Sequence, residues 1–428
     1  MSCHPSSGRT PDAVPTGKAA TLADEGFRLF FPLAAVYTAL FPLLWIWAWG
    51  LDLPLARTVP PSLWHAHEMI VGGFGAALIG FVTTAAPEWT DTEPPRGAPL
   101  WALACLWATG RIAGAVGWEG AGMIGAVADL AWMTALLIWL FVLSVRRRTD
   151  RLLAFAFWIA LLIGCTGAGR VGFAVGDVAL ATAGVHAAGF AFLGLLGLAL
   201  ARITVPVTNL VLDPTERTSP FRPHPGRMHL APGLVCLAMA GDAIGLSAAV
   251  TAYLFLAAGA AFVDRVAEAF IGRSALRAEI AMLAGASALA GAGLMLAGAA
   301  RLGAPWSETA GLHVAFMGGV GLGLFAVMSI AGLLHTDRPL ALGLGVRLAA
   351  LLLVAATVLR VLPDFGFALP GPVHGMASAA WGGSLLIWVW AYWPKLTTPP
   401  KPIAHPAAQG PTEGANQPGR RALRQAAE

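Results

Sequence analysis

The chain has 428 residues, of which 57% are hydrophobic and only 12% are charged. A soluble domain needs more polar surface than this, so the composition excludes an ordinary soluble protein and indicates a polytopic membrane protein. The net charge is +4, but the basic residues are distributed among the segments that connect the predicted spans, as in a membrane protein. They therefore predict no binding to nucleic acid.

Apolar stretches of about 18 or more residues are long enough to span a bilayer as helices. The chain has about twelve of them, which predicts an all-α polytopic membrane protein built from repeated helical hairpins. Residues 1–24 and 396–428 are polar and rich in Pro and Gly, which predicts disordered ends around a membrane domain of residues 25–395. The predicted spans are residues 27–50, 63–86, 98–116, 121–144, 152–174, 180–203, 231–248, 250–271, 278–300, 311–333, 341–362 and 371–393.

The basic residues indicate the orientation of these spans. With the N-terminus inside and twelve spans, 22 of the 27 Lys and Arg residues fall on the cytoplasmic side, as the positive-inside rule requires. Both termini are therefore predicted to be cytoplasmic. Five arginines remain on the outer side, namely Arg57, Arg111, Arg170, Arg301 and Arg360.

Four predicted helices share one template, in which a glycine follows a histidine by eight residues and a proline follows it by twenty. The template is complete after His67, His186 and His374, and the copy after His313 has Leu333 in place of proline. Twenty helical residues rise about 30 Å, so each histidine marks one boundary of the membrane. All four helices run from outside to inside, which predicts that the four histidines lie at one depth near the outer face.

Neutral imidazole is a common ligand for haem iron and for copper, and a bound metal would offset the burial of these side chains. Helix packing or proton transfer is the alternative role. His65 and His67 are two residues apart and so point to nearly opposite faces of a helix. His65 shares a face with Glu68, and His313 shares one with Met317. The predicted metal ligands are His65, His67, His186, His313 and His374, together with His335 at the inner end of the tenth span.

Four outer arginines, Arg57, Arg111, Arg170 and Arg360, are predicted to bind a cofactor, because guanidinium pairs with the carboxylates of haem propionates in a two-pronged geometry. Capping of a helix at the headgroup level is an equally good role for them. Five acidic residues in or near the spans could provide a proton route or pair with local arginines: Asp129, Asp242, Asp264, Glu268 and Glu279.

The stretch Trp64-His65-Ala66-His67-Glu68-Met69, followed by Gly80-Phe81-Val82-Thr83-Thr84-Ala85-Ala86-Pro87-Glu88-Trp89-Thr90, resembles the NnrS family. The resemblance extends over residues 27–395 and includes His335-Thr336-Asp337-Arg338, although the family usually has glycine at the position of Asp337 and arginine at that of Ile330. It implies a haem- and copper-containing protein of the bacterial inner membrane, active in denitrification and in protection against nitric oxide. Nitric oxide or an iron-nitrosyl species would then be a partner.

The resemblance implies no defined reaction, so whether the protein is an enzyme stays open and no catalytic residue is predicted. One alternative is an enzyme of the haem-copper oxidase or nitric oxide reductase type. Against it, the chain has no adjacent His-His pair, and no tyrosine follows a membrane histidine by four residues. A second alternative is a secondary transporter with twelve helices, although its polar residues would be expected at mid-membrane. No protein partner is predicted.

Overall fold

The computed structural model describes residues 17–48, 59–115, 119–222 and 227–399, and all regular structure in these ranges is helical. The predicted all-α class is therefore confirmed for the described part of the chain. Twelve longer helices follow the predicted spans: α1 (Gly26–Ala48), α2 (Pro61–Thr90), α3 (Ala98–Ala115), α4 (Glu119–Arg147), α5 (Leu153–Val175), α6 (Val178–Leu212), α7 (Arg227–Ala243), α8 (Ala248–Asp264), α9 (Ala278–Arg301), α10 (Glu308–Leu334), α11 (Leu344–Val361) and α12 (Val373–Leu396).

Within the described residues, nine of these helices are long and apolar enough to cross a membrane. This finding confirms a multi-pass membrane protein. The other three are α3, α7 and α12, which lie where the sequence predicts spans but do not reach the same length and hydropathy. The count of twelve crossings and the repeated hairpins stay predictions.

Three helices form the centre of the bundle. In α2, α6 and α10, 78% of the most apolar window is buried, against 39% to 67% in the other six apolar helices. These three are spaced four helices apart along the chain, and α6 packs against both α2 and α10. Helix α1 packs against α2 and also against α12, so the first and last helices are neighbours. The central helices carry His65, His67, His186 and His313 near their starts.

Small residues let the helices approach closely, as is common in membrane bundles. A side chain added at Gly184 of α6 would collide with the backbone of α5 at Gly169, and one added at Gly311 of α10 would collide with the backbone of α9 at Ala297. Helix pairs α5–α6 and α9–α10 therefore use the same kind of contact. These close contacts fix the position of α6 against α5 and of α10 against α9.

Two central helices contain a π-helical turn, which the sequence patterns did not predict. In α2 it covers Glu68–Phe74, and in α10 it covers Val314–Gly321. Each turn begins directly after a histidine and includes a pair of adjacent glycines. Because π-helical turns are rare and frequent at functional sites, their shared position draws attention to His67 and His313.

Candidate functional site

His335 lies apart from the other predicted ligands. Its Nδ1 atom is 3.5 Å from the Oε1 atom of Glu88, and its ring centre is 5.1 Å from that of Phe27. Glu88 follows His67 on α2 by 21 residues, or about 30 Å of helix. His335 therefore belongs to the opposite end of the bundle from His67, as the sequence predicts.

A buried ionic cluster surrounds His67, and we call it the Asp129 cluster. The carboxylate of Asp129 on α4 accepts hydrogen bonds from Nη2 of Arg111 on α3, with 2.8 Å to Oδ1 and 2.9 Å to Oδ2. Arg170 on α5 donates to Oδ2 of the same carboxylate. The Nε2 atom of His67 lies 3.2 Å from Oδ2, so it donates to that acceptor. Four helices thus meet at Asp129, which is fully buried.

Glu68, the first residue of the π-helical turn in α2, completes the Asp129 cluster. Its Oε2 atom accepts a hydrogen bond from the hydroxyl of Tyr37 on α1 at 2.5 Å and lies 3.0 Å from Nε of Arg111. Its Oε1 atom is 4.0 Å from Nε2 of His67. The two arginines and two carboxylates cancel in charge when His67 is neutral, which explains how so many ionisable groups are tolerated inside a membrane domain.

The Asp129 cluster retains unused hydrogen-bonding capacity. Among the described residues, Oε1 of Glu68, Nη1 of Arg111 and Nε of Arg170 are buried atoms without a hydrogen-bond partner. They are one acceptor and two donors, so the hydrogen bonds of the Asp129 cluster are not all satisfied by the described residues.

A second group of histidines lies on the other side of α2, and we call it the outer histidine group: His65, His313 and His374. His65 interacts electrostatically with His313 and with Arg360 of α11. His313 in turn interacts with Arg360 and with His374 of α12. The group therefore draws one histidine from each of three helices, with the Arg360 guanidinium within electrostatic range of His65 and His313.

His313 has the hydrogen bond that orients a metal-binding imidazole. Its Nδ1 atom is 2.8 Å from the carbonyl oxygen of Thr309, one turn earlier on α10. A carbonyl only accepts, so Nδ1 carries the proton and Nε2 presents a lone pair. Metal-ligating histidines commonly have this arrangement. Arg360 is held by Asp364, with 3.3 Å between Nη1 and Oδ2.

His186 on α6 lies in a third polar group. It interacts electrostatically with Arg301, Asp242 and Glu308. Arg301 contacts both carboxylates, with 2.8 Å to Asp242 and 2.8 Å to Glu308, and its guanidinium stacks 4.3 Å from the ring centre of Phe255. The four histidines predicted at one depth are therefore divided among three groups, and only His313 and His374 are together.

The predicted arginines are also divided. Arg111 and Arg170 belong to the Asp129 cluster, Arg360 stands beside the outer histidine group, and Arg57 lies outside the described residues. In the part of the chain that the structure describes, no three or more His, Cys, Asp and Glu side chains are close enough to hold a metal ion. Binding of a cofactor by these arginines and histidines stays a prediction.

The sequence patterns did not predict that Asp129 is the centre of an ionic cluster or that Tyr37 donates a hydrogen bond to Glu68 in that cluster. The signal available was an acidic residue predicted inside a span, with an outer arginine in each adjoining span. Such a residue is costly in a membrane unless it is paired. The sequence could therefore have predicted the pairing of Asp129 with Arg111 and Arg170, although Tyr37 carries no comparable signal.

The chain matches one known protein family over nearly its whole helical region. The match is to the family described as NnrS protein and covers residues 21–399. No protein with a curated description is similar enough to match. Because the family match includes all twelve helices described above, the chain belongs to the NnrS family.

Proposed function

We propose that this protein binds haem at the outer histidine group and protects the cell against nitric oxide. The observation that carries the proposal is the hydrogen bond from Nδ1 of His313 to the carbonyl of Thr309. It leaves Nε2 of an imidazole in a central helix available to a metal. The role in nitric oxide stress comes from the resemblance to the NnrS family and would place the protein in the bacterial inner membrane.

The residues of the outer histidine group fit haem in their chemistry. Haem iron needs only one or two imidazole ligands, and His65 and His313 would offer them from two central helices. Arg360 provides a cation for the propionate groups, since guanidinium pairs with carboxylates. When bound, haem would supply an iron atom able to bind nitric oxide. The chain's own contribution is to hold imidazole nitrogens and a cation near one another in an apolar bundle.

Copper fits the described residues less well. A protein copper site normally draws on three or more ligands, and within the described ranges no such group of His, Cys, Asp and Glu is present. The remaining candidate is the pair His313 and Met317, an imidazole and a thioether about one turn apart. Thioether is a ligand that copper(I) accepts, so copper(I) stays a second candidate cofactor at this position.

The test is an absorption spectrum of the purified protein, with haem and copper quantified, after expression with adequate haem. We expect a Soret band in the wild-type protein, and its loss or shift in His313→Ala and in His65→Ala. His229→Ala is the matched control, because His229 is an exposed histidine at the start of α7, and its Soret band should be unchanged. A wild-type protein without haem would refute the proposal, and one that contains neither haem nor copper would favour transport.

The physiological part of the proposal needs a separate test. Cells that lack this protein should recover more slowly from a pulse of a nitric oxide donor. The wild-type protein should restore recovery, and so should His229→Ala at the same expression level. Restoration by His313→Ala as well would show that protection does not depend on the outer histidine group.

A further inference from the structure

We infer that the Asp129 cluster is a positioning device for His65, which holds this imidazole toward His313. The inference rests on the proposed function, because it concerns the histidines proposed to bind haem. It assigns a purpose to a set of buried charges that no contact with a cofactor requires. In this role Asp129, Arg111, Glu68 and Tyr37 act through other residues and are positioning residues.

An unbroken series of contacts leads from Asp129 to His65. Asp129 pairs with Arg111, and Arg111 pairs with Glu68. Glu68 accepts the hydrogen bond of the Tyr37 hydroxyl. The contacts continue through aromatic rings. The ring of Tyr37 is stacked on Phe41 with centres 5.5 Å apart, and Phe41 is stacked on His65 at 5.9 Å with an interplanar angle of 16°.

The cluster also fixes the part of α2 from which His65 projects. Trp107 of α3 donates from Nε1 to the carbonyl of Gly72 at 2.8 Å, and Arg111 lies one turn further along α3 against the same π-helical turn. A π-helical turn changes the direction of the residues before it relative to those after it. Helix α3 therefore holds the turn that sets the direction of His65.

His313 does not depend on this cluster. Its ring is oriented from within α10 by the carbonyl of Thr309, and its helix packs tightly on α9 through Gly311. One histidine of the pair is thus oriented by its own helix and the other through a cluster shared by α1, α2, α3, α4 and α5. A cluster that only held helices together would change stability but would not preferentially move His65.

The first experiment measures the approach of the two positions without haem. Cysteines replace His65 and His313 together, and the rate of cross-linking by a short bifunctional thiol reagent is measured in the full-length protein. A cysteine at position 65 lacks the ring that stacks on Phe41, so this rate reports the direction in which α2 presents position 65, which the Asp129 cluster fixes through the π-helical turn. We expect Tyr37→Phe and Asp129→Asn to lower this rate several-fold. Asp242→Asn is the control, since Asp242 also pairs with an arginine, Arg301, but lies outside the Asp129 cluster, and it should leave the rate unchanged.

Tyr37→Phe keeps the aromatic ring and every ion pair of the cluster. It therefore tests whether the cluster positions residue 65 even if Asp129→Asn fails to fold. Equal cross-linking rates in Tyr37→Phe and in the unaltered background would overturn the inference. A double-mutant cycle adds a second criterion. The effects of Tyr37→Phe and Asp129→Asn on the cross-linking rate should be non-additive, because both substitutions interrupt one series of contacts. Additive effects would count against the inference.

The second experiment reads the haem spectrum in the same single variants with both histidines present. We expect a shifted Soret band in Tyr37→Phe and Asp129→Asn, with the wild-type spectrum restored in Asp129→Glu, which retains the carboxylate. A wild-type protein that binds no haem would refute the proposed function, while the cross-linking rates would still decide the positioning role. Haem binding with unaltered spectra in Tyr37→Phe would refute the positioning role alone.

Discussion

Replacing Asp129 by asparagine should strongly destabilise the protein. The Asp129 carboxylate is fully buried and is shared by Arg111, Arg170 and His67. Asparagine has nearly the same shape but no charge, so the substitution leaves the arginines with an excess of positive charge in a low-dielectric interior. Breaking a buried ion pair by removing one partner costs about 3 to 5 kcal/mol. Glu68 still compensates Arg111, so we expect a loss of about 3 kcal/mol in the free energy of unfolding.

The assay is the free energy of unfolding of the purified protein in bicelles, measured by steric trapping or by titration with a denaturing detergent. Asp264→Asn is the control, because Asp264 is 46% exposed in its pair with Arg227 and such exposed pairs contribute about 0 to 1 kcal/mol. The double variant Asp129→Asn/Arg170→Gln should recover part of the loss by removing one uncompensated cation. Equal effects of Asp129→Asn and Asp264→Asn would refute the reasoning that the Asp129 cluster is desolvated.

Further substitutions test packing and the loop that follows α6. Gly311→Val should destabilise by about 1 to 3 kcal/mol through overpacking in the same unfolding assay, whereas Gly233→Val should be neutral because nothing lies within 4 Å of an added Cβ. Trp107→Phe should lose about 1 kcal/mol, since it removes the indole hydrogen bond to the buried Gly72 carbonyl of the first π-helical turn. Asp213 follows α6, and its carboxylate accepts hydrogen bonds from Thr215 and Thr218, which we call the loop cap. These hydrogen bonds lower the pKa of Asp213, so the loop cap should persist as the pH falls to about 4, the ordinary pKa, and be lost only below it. Asp213→Ala should therefore speed tryptic cleavage after Arg217 at neutral pH, and protection equal to wild type would contradict the cap.

Local sequence patterns were sufficient for the features that depend on spacing along one helix. The two-residue interval between His65 and His67 predicts opposite faces, and the structure directs His67 to Asp129 and His65 to Phe41. The interval between His67 and His335, together with the span lengths, places them at opposite ends of the bundle, as observed through Glu88. Such features follow from helical rise and rotation alone.

Features that depend on the angular position of a helix were not predictable in this way. The template of a histidine followed by a glycine gives depth but not direction, so it could not separate His186, His67 and His313 into three groups. The π-helical turns are also set by neighbours, because the extra residue in the turn of α2 is accommodated where Trp107 donates to Gly72. Periodic patterns detect a regular helix and not such a local change of pitch.

The two histidines of the most distinctive motif have different contacts in the structure. The Nε2 atom of His67 already donates to Asp129, and the side chain is 1% exposed, with its ring edge against Phe173. A metal at this nitrogen would have to replace the carboxylate contact and leave the buried charges of the Asp129 cluster unbalanced. The ring of His65 makes no ion pair with Asp129 and is stacked on Phe41, so a metal at His65 would not replace a contact of the Asp129 carboxylate. Glu68 follows His67 directly but shares a face of α2 with His65. It connects the surroundings of the two histidines, because its carboxylate belongs to the Asp129 cluster and also accepts the hydrogen bond of Tyr37.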